Sequence, residues 1–209
     1  MPCVAMSSCK IAAFLCKIFR KILRFVSVTV TIPQGSGRSH VVMDTSLSIY
    51  RSVFVRLIEA DSESIIENNS PEHAKVILQE LVRCAVKSVF ILCTHFSKAV
   101  YGDADLQTAI LDAIDRGVSV SIAVRDKNPQ EAEFFRKLRK MESEKCRLFE
   151  GLLENESHPV FPSDFCIVDG KRFRLERDQD KGTAFVCANN TEVVERLEVW
   201  FNLSVGAAA

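Results

Sequence analysis

A mixed α/β fold is predicted, with a mostly parallel sheet, helices on both faces and one antiparallel hairpin. Three features of the sequence point to it. The run Ser88-Val89-Phe90-Ile91-Leu92-Cys93 is apolar almost without a break, as in a strand covered on both faces. Strand, helix and strand then follow one another within residues 88–124, the spacing of a right-handed βαβ crossover. Asp169-Gly170 separates two short runs and supplies the positive φ values that a two-residue hairpin turn prefers.

Taken in order, Leu47 to Glu67 is predicted as one helix, with Ile49, Val53, Leu57 and Ile58 at helical spacing. Asn68-Asn69-Ser70-Pro71 breaks it. Ser70 can cap the next helix, with Pro71 in its first turn, and that helix runs to about Ala85. The buried strand Ser88–Cys93 follows, then a polar loop from Thr94 to Asp105. Leu106 to Asp115 is a helix closed by Gly117, and Val118 to Val124 is the second strand. Asn128 to Lys140 is a helix with Phe134, Phe135 and Leu138 inward. Cys146 to Phe149 is a short third strand. In the hairpin, Phe165 to Val168 is apolar. After the turn, Phe173 and Leu175 alternate with Arg172, Arg174 and Glu176, so one face is expected buried and the other wet. Thr183 to Ala188 is a further strand. Thr191 to Leu203 closes the chain as a helix capped by Asn190 or Thr191, with Val194, Leu197, Trp200 and Phe201 on its core face.

Length and composition fit one domain, residues 44–205, with an appendage. The net charge of zero hides an asymmetry. Residues 1–42 carry Lys10, Lys17, Arg20, Lys21, Arg24 and Arg38 and no acid, so this arm is +6 and the remainder −6. A mildly acidic body argues against extensive nucleic-acid binding, which needs clustered Lys and Arg. On a helix from Lys10 to Val26, the cations Lys10, Lys17, Arg20, Lys21 and Arg24 fall within an arc of roughly 100°. Ile11, Leu15, Ile18, Phe19 and Ile22 fill much of the rest. Such a basic amphipathic arm suits an anionic membrane surface and also resembles an organelle-targeting segment. A helix packed on the domain, and a segment foreign to the natural product, are the competing readings. The eight cysteines show no C-x-x-C and no paired Cys/His spacing. Buried free thiols in a reducing compartment are expected, and with them a cytoplasmic location; a membrane-peripheral one depends on the arm.

The run from Leu106 to Val124 resembles the helix and second strand of a phospholipase D-like domain. Phe165-Cys166-Ile167-Val168-Asp169-Gly170-Lys171 resembles the end of that superfamily's signature strand and its turn, and Thr183 to Phe201 its closing elements. The resemblance spans roughly Ser88 to Leu203. The family signature is H-x-K-x-x-x-x-D. Counting back from Asp169 puts Pro162 at the histidine and Asp164 at the lysine. The histidine attacks phosphorus, and proline has no side-chain nucleophile. The lysine balances phosphate charge in the transition state, and a carboxylate there has the wrong sign. Leu175-Glu176-Arg177 stands where Ser and Asn often follow. Active members also need two signature copies, and this chain has none complete.

The resemblance therefore implies a non-catalytic phospholipase D-like domain, a pseudoenzyme acting by binding or as a homodimer, its partner a protein or a phosphate-bearing ligand. A second expectation is a divergent phosphodiesterase or nuclease using His95 or His158, with one imidazole in the same cleft as Asp169. A third is a Rossmann-like ligand-sensing module, which requires an all-parallel sheet and no hairpin at Asp169-Gly170. Ligands of open α/β sheets bind beyond the strands' carboxyl ends, so Thr94, His95, Ser97, Lys98 and Tyr101 are the pocket candidates. Asp164, Asp169, Asp178 and Asp180 raise a metal site, but the turn explains Asp169 and a hydrophilic loop explains Asp178 and Asp180. No phosphate-binding glycine loop and no G-x-S-x-G occurs, so neither a cofactor nor a metal is expected.

Overall fold

The computed structural model describes residues 47–126, 129, 132–152, 163–178 and 182–206. The chain divides into two compact units, Met1–Val42 and Met43–Ala209. The arm, with Lys10, Lys17, Arg20, Lys21 and Arg24, lies outside the described residues.

The second unit runs α1 (Leu47–Glu59), β1 (Ile65–Asn68), α2 (Pro71–Arg83), β2 (Ser88–Cys93), α3 (Lys98–Tyr101), α4 (Ala104–Asp115), β3 (Ser119–Val124), α5 (Glu133–Lys140), β4 (Cys146–Glu150), β5 (Phe165–Val168), β6 (Arg172–Asp178), β7 (Thr183–Cys187) and α6 (Thr191–Gly206). Among the described residues these strands form a seven-stranded sheet ordered β1-β7-β6-β5-β2-β3-β4. β2, β3 and β4 pair in parallel, and every other neighbouring pair is antiparallel. Followed across the sheet, β1 and β6 point the same way as β2, β3 and β4, and β5 and β7 oppose them. The sheet is thus mixed, and the all-parallel order required of a Rossmann-like sensor is overturned by β5, which lies antiparallel beside β2.

Both faces are covered. On one, Val89, Ile91, Val120, Ile122, Cys166 and Val186 pack with Phe54, Ile77, Leu81, Ile110 and Phe135 of α1, α2, α4 and α5. On the other, α6 buries Val194, Leu197 and Phe201, and the Phe201 ring meets Phe90 at 5.1 Å and Phe149 at 6.3 Å. Burying a side chain of this size stabilises the fold by about 1.5–3 kcal/mol.

The expected single helix from Leu47 to Glu67 is two elements. α1 ends in a Schellman-type turn, with Ser62 N donating to Leu57 O (2.9 Å) and Asp61 N to Ile58 O (3.1 Å), Asp61 taking φ +48°. The β-branched pair Ile65-Ile66 then adds an edge strand to β7. Ile49 and Val53 face outward, and Phe54 is the residue of α1 that is buried. Elsewhere the helix signals act as read. Ser70 Oγ accepts from His73 N at 3.2 Å, Asn190 Oδ1 accepts from Val193 N at 3.0 Å, and Gly117 ends α4 at φ +84°. α5 begins at Glu133, five residues later than the expected Asn128. The hairpin turn is one residue longer than a two-residue loop: Val168 pairs with Arg172, leaving Asp169 (φ +55°), Gly170 (φ +71°) and Lys171 between. No helix among the described residues is long and apolar enough to cross a membrane.

Candidate functional site

A cleft of about 270 Å³ opens beyond the carboxyl end of β2. Its walls are the first turns of α2 (Pro71, Ala74, Leu78), the loop and short helix after β2 (Thr94, His95, Ser97, Val100, Tyr101), the start of β5 (Asp164, Cys166) and the middle of β6 (Arg174, Glu176). The loop after β2 is anchored, not merely solvated. Phe96 is buried, stacks on Tyr101 at 4.2 Å and meets Phe135 edge-on at 5.3 Å. Of the sequence-derived candidates, Thr94, His95, Ser97 and Tyr101 line the cleft. Lys98 is exposed and is not among the lining residues.

The polar centre is a set of paired charges. Asp164 Oδ1 accepts from Thr94 N (2.8 Å), Thr94 Oγ1 (2.7 Å) and Arg125 Nη2 (2.6 Å). Arg174, only 6 % exposed, donates from Nε to Asn68 Oδ1 at 3.0 Å and from Nη2 to Glu176 Oε1 at 3.2 Å. Burial pushes the Glu176 carboxyl up, and Arg174 pulls it the other way. His95, whose side chain is 71 % exposed, has Nδ1 3.4 Å from Asp126 Oδ2 at the mouth. Burial raises the thiols of Cys93 and Cys166, the latter to about 12. Both are therefore protonated and poorly nucleophilic at neutral pH.

Asp169 is elsewhere. Its carboxylate sits at the amino end of β2. Oδ1 accepts from Lys87 N (2.7 Å), Val86 N (3.1 Å) and Ser88 N (3.1 Å), and Oδ2 pairs with Arg172 Nη1 (3.1 Å). Asp164 is at the carboxyl end, so the two aspartates are separated by the length of β5, roughly 17 Å at ~3.3 Å per residue. The expectation of an imidazole sharing a cleft with Asp169 is not met by His95. His158, Pro162 and Asp180 lie outside the described residues. Among the described residues, no three His, Cys, Asp or Glu side chains gather as a metal site.

No protein-family model matches the sequence, and no curated protein matches it. Solved structures do match in three dimensions. Nuc from Salmonella typhimurium, a phospholipase D family member, superposes with a TM-score of 0.52 at 18% identity, over 70% of this chain and 96% of its own. NucT from Helicobacter pylori gives 0.52 at 14% identity, over 70% and 99%. The fold is phospholipase D-like. TrmBL2, an archaeal chromatin protein with a novel mode of DNA binding, gives 0.51 at 16% identity, over 92% of this chain and 64% of its own.

Within this phospholipase D-like chain, sequence reasoning missed Arg174, Glu176, Asn68 and Arg125. Arg174 was expected on a wet face of β6, yet α2 covers that face. The available signal was the contrast between a strand that is central in the sheet and the charged residues alternating along it. A guanidinium on a covered face needs acceptors, and these are Asn68 and Glu176.

Proposed function

We propose that this chain is a phospholipase D-like module that binds at its cleft and does not cleave phosphodiesters. One observation carries the reading. Asp164, at the place the resemblance gives to the lysine, is a carboxylate whose Oδ1 is already held by Arg125 and both donors of Thr94. Among the described residues, that place offers a phosphate no free cation. Among the described residues no lysine lines the cleft, and His95 is the one imidazole that does. Pro162 at the histidine position agrees with this. The acidic body of residues 43–209 argues against the DNA binding of the chromatin protein as this chain's role. Pairing of two copies through the fold, and membrane contact through Lys10, Lys17, Arg20, Lys21 and Arg24, belong to the same proposal.

A second reading, a divergent phosphodiesterase, has His95 and Asp126 in its favour, since a carboxylate on Nδ1 orients an imidazole for attack. At 3.4 Å, with both side chains open to water, that hold is loose. The test is hydrolysis of bis(p-nitrophenyl) phosphate and of single- and double-stranded DNA. No turnover is expected. Turnover that disappears in His95→Ala or His158→Ala would establish the second reading instead.

A further inference from the structure

The cleft holds a guanidinium that is built in and only partly used. Arg174 is more than nine-tenths buried. Its Nε acceptor, Asn68, is itself fully buried and fixed by Nδ2 donating to Gly182 O at 2.7 Å. The group cannot swing away to solvent. A guanidinium has more N–H donors than the contacts to Asn68 and Glu176 consume. Among the described residues Nη1 has no hydrogen-bond partner, and Arg174 lines the cleft. Nη1 is reached by water from the cleft, so a ligand oxygen placed there would replace a water on a donor that is already held in position.

Charge decides which kind of acceptor. Arg174 is paired with Glu176 and Asp164 with Arg125, while His95 stands at the exposed mouth, 3.4 Å from Asp126. An anion placed on Nη1 would face the carboxylates of Glu176 and Asp164, and among the described residues no lysine lines the cleft to offset them. A cationic ligand would meet Arg174. A neutral oxygen satisfies Nη1 without disturbing either pair. Ala74, Leu78, Leu92 and Val100 add an apolar stretch of wall. The volume, about 270 Å³, lies just below the ~300 to 1,000 Å³ of drug-sized ligand sites, which suits a small molecule.

We infer that this cleft takes a small uncharged ligand that presents a carbonyl or amide oxygen to Arg174 and an apolar body to Ala74, Leu78 and Val100, and that it discriminates against phosphate esters and carboxylates. The inference rests on the binding reading above and gives its ligand class.

Benzamide, benzoate and phenyl phosphate share a ring and differ in head group, so they isolate the charge. Each is titrated into the ¹⁵N-labelled full chain, and the Arg174 side-chain Nε–H and the Thr94 amide are followed by NMR. Benzamide is expected to shift both signals saturably, and the two anions to bind at least about tenfold more weakly, as like charges repel at close range. Arg174→Lys should weaken benzamide by at least about tenfold, because a fork of donors is replaced by a point charge. Ala99→Phe, at an exposed position on the cleft wall, narrows the cleft without touching the core and should weaken it as well. It serves alone if Arg174→Lys does not fold. Equal or tighter binding of phenyl phosphate or benzoate overturns the inference. So does the lack of a saturable benzamide shift at Arg174, or a shift that survives Ala99→Phe. Failure of the binding reading is seen separately, as turnover of bis(p-nitrophenyl) phosphate.

Discussion

Replacing Asp169 separates a structural aspartate from a catalytic one. The resemblance places it at the aspartate of the phospholipase D signature, and that alone would class it with the chemistry. Its surroundings assign it to the fold. The side chain is 8 % exposed, accepts from three consecutive backbone amides, Val86, Lys87 and Ser88, and pairs with Arg172. Hydrogen bonds to a charged acceptor contribute about 1.5–3 kcal/mol each and are not additive. Removing one member of a buried ion pair costs about 3–5 kcal/mol, because the other charge is stranded. Alanine at φ +55° adds roughly 1 kcal/mol of backbone strain. Asp169→Ala is therefore expected to lose about 4–6 kcal/mol, a large share of the ~5–15 kcal/mol typical of a domain. Asp169→Asn tolerates the left-handed conformation and keeps one acceptor oxygen, and its loss should be about half as large. Urea denaturation of the three proteins, compared at matched slopes, measures this. Benzamide shifts at Arg174 should persist in Asp169→Asn, since the cleft lies at the other end of β5. An alanine variant within about 1 kcal/mol of the parent would refute the reasoning, for then the three amides find water as readily as the carboxylate.

Two other outcomes follow from burial. Burial raises the Glu176 pKa, so between the unfolded carboxyl value, ~4.3, and the raised folded value the native state binds more protons than the unfolded one. Stability from this group is then greatest at low pH and falls as pH rises through that window. Glu176→Gln should gain stability relative to the parent as pH climbs from about 4 through that window, read by melting temperature, and a pH-independent difference would contradict the assignment. Buried Cys93 and Cys166, with thiols raised by desolvation, should resist a disulfide reagent at neutral pH until the protein unfolds, as peptide mapping of labelled protein would show. Labelling of either at the rate of a free thiol in native buffer would show that this core opens.

Much of the fold was legible because its signals are local. Ser70 before Pro71, Gly117 after α4 and Asn190 before α6 act on backbone groups within three or four residues, so sequence spacing is enough. The apolar run of β2 announces a covered strand whatever its neighbours. The positive φ at Asp169-Gly170 needs only the turn. The expectation that Pro162 and Asp164 stand at the histidine and lysine positions of the signature came from counting along the sequence.

Tertiary structure alone decided the rest, because the answers depend on which chain segment arrives from afar. Ile65–Asn68 became a strand only because β7, more than a hundred residues away, offers it an edge. Arg174 is an interior group only because Asn68 and Glu176 meet it under α2. Asp164 and Asp169, five positions apart, were assigned to opposite ends of the sheet by the backbones they touch: the end of β2 for one, its beginning for the other. Chain order fixes a residue's type and its local conformation. The electrostatic company it keeps is set by long-range packing, which in this cleft brings Arg174 to Glu176 and Asp164 to Arg125.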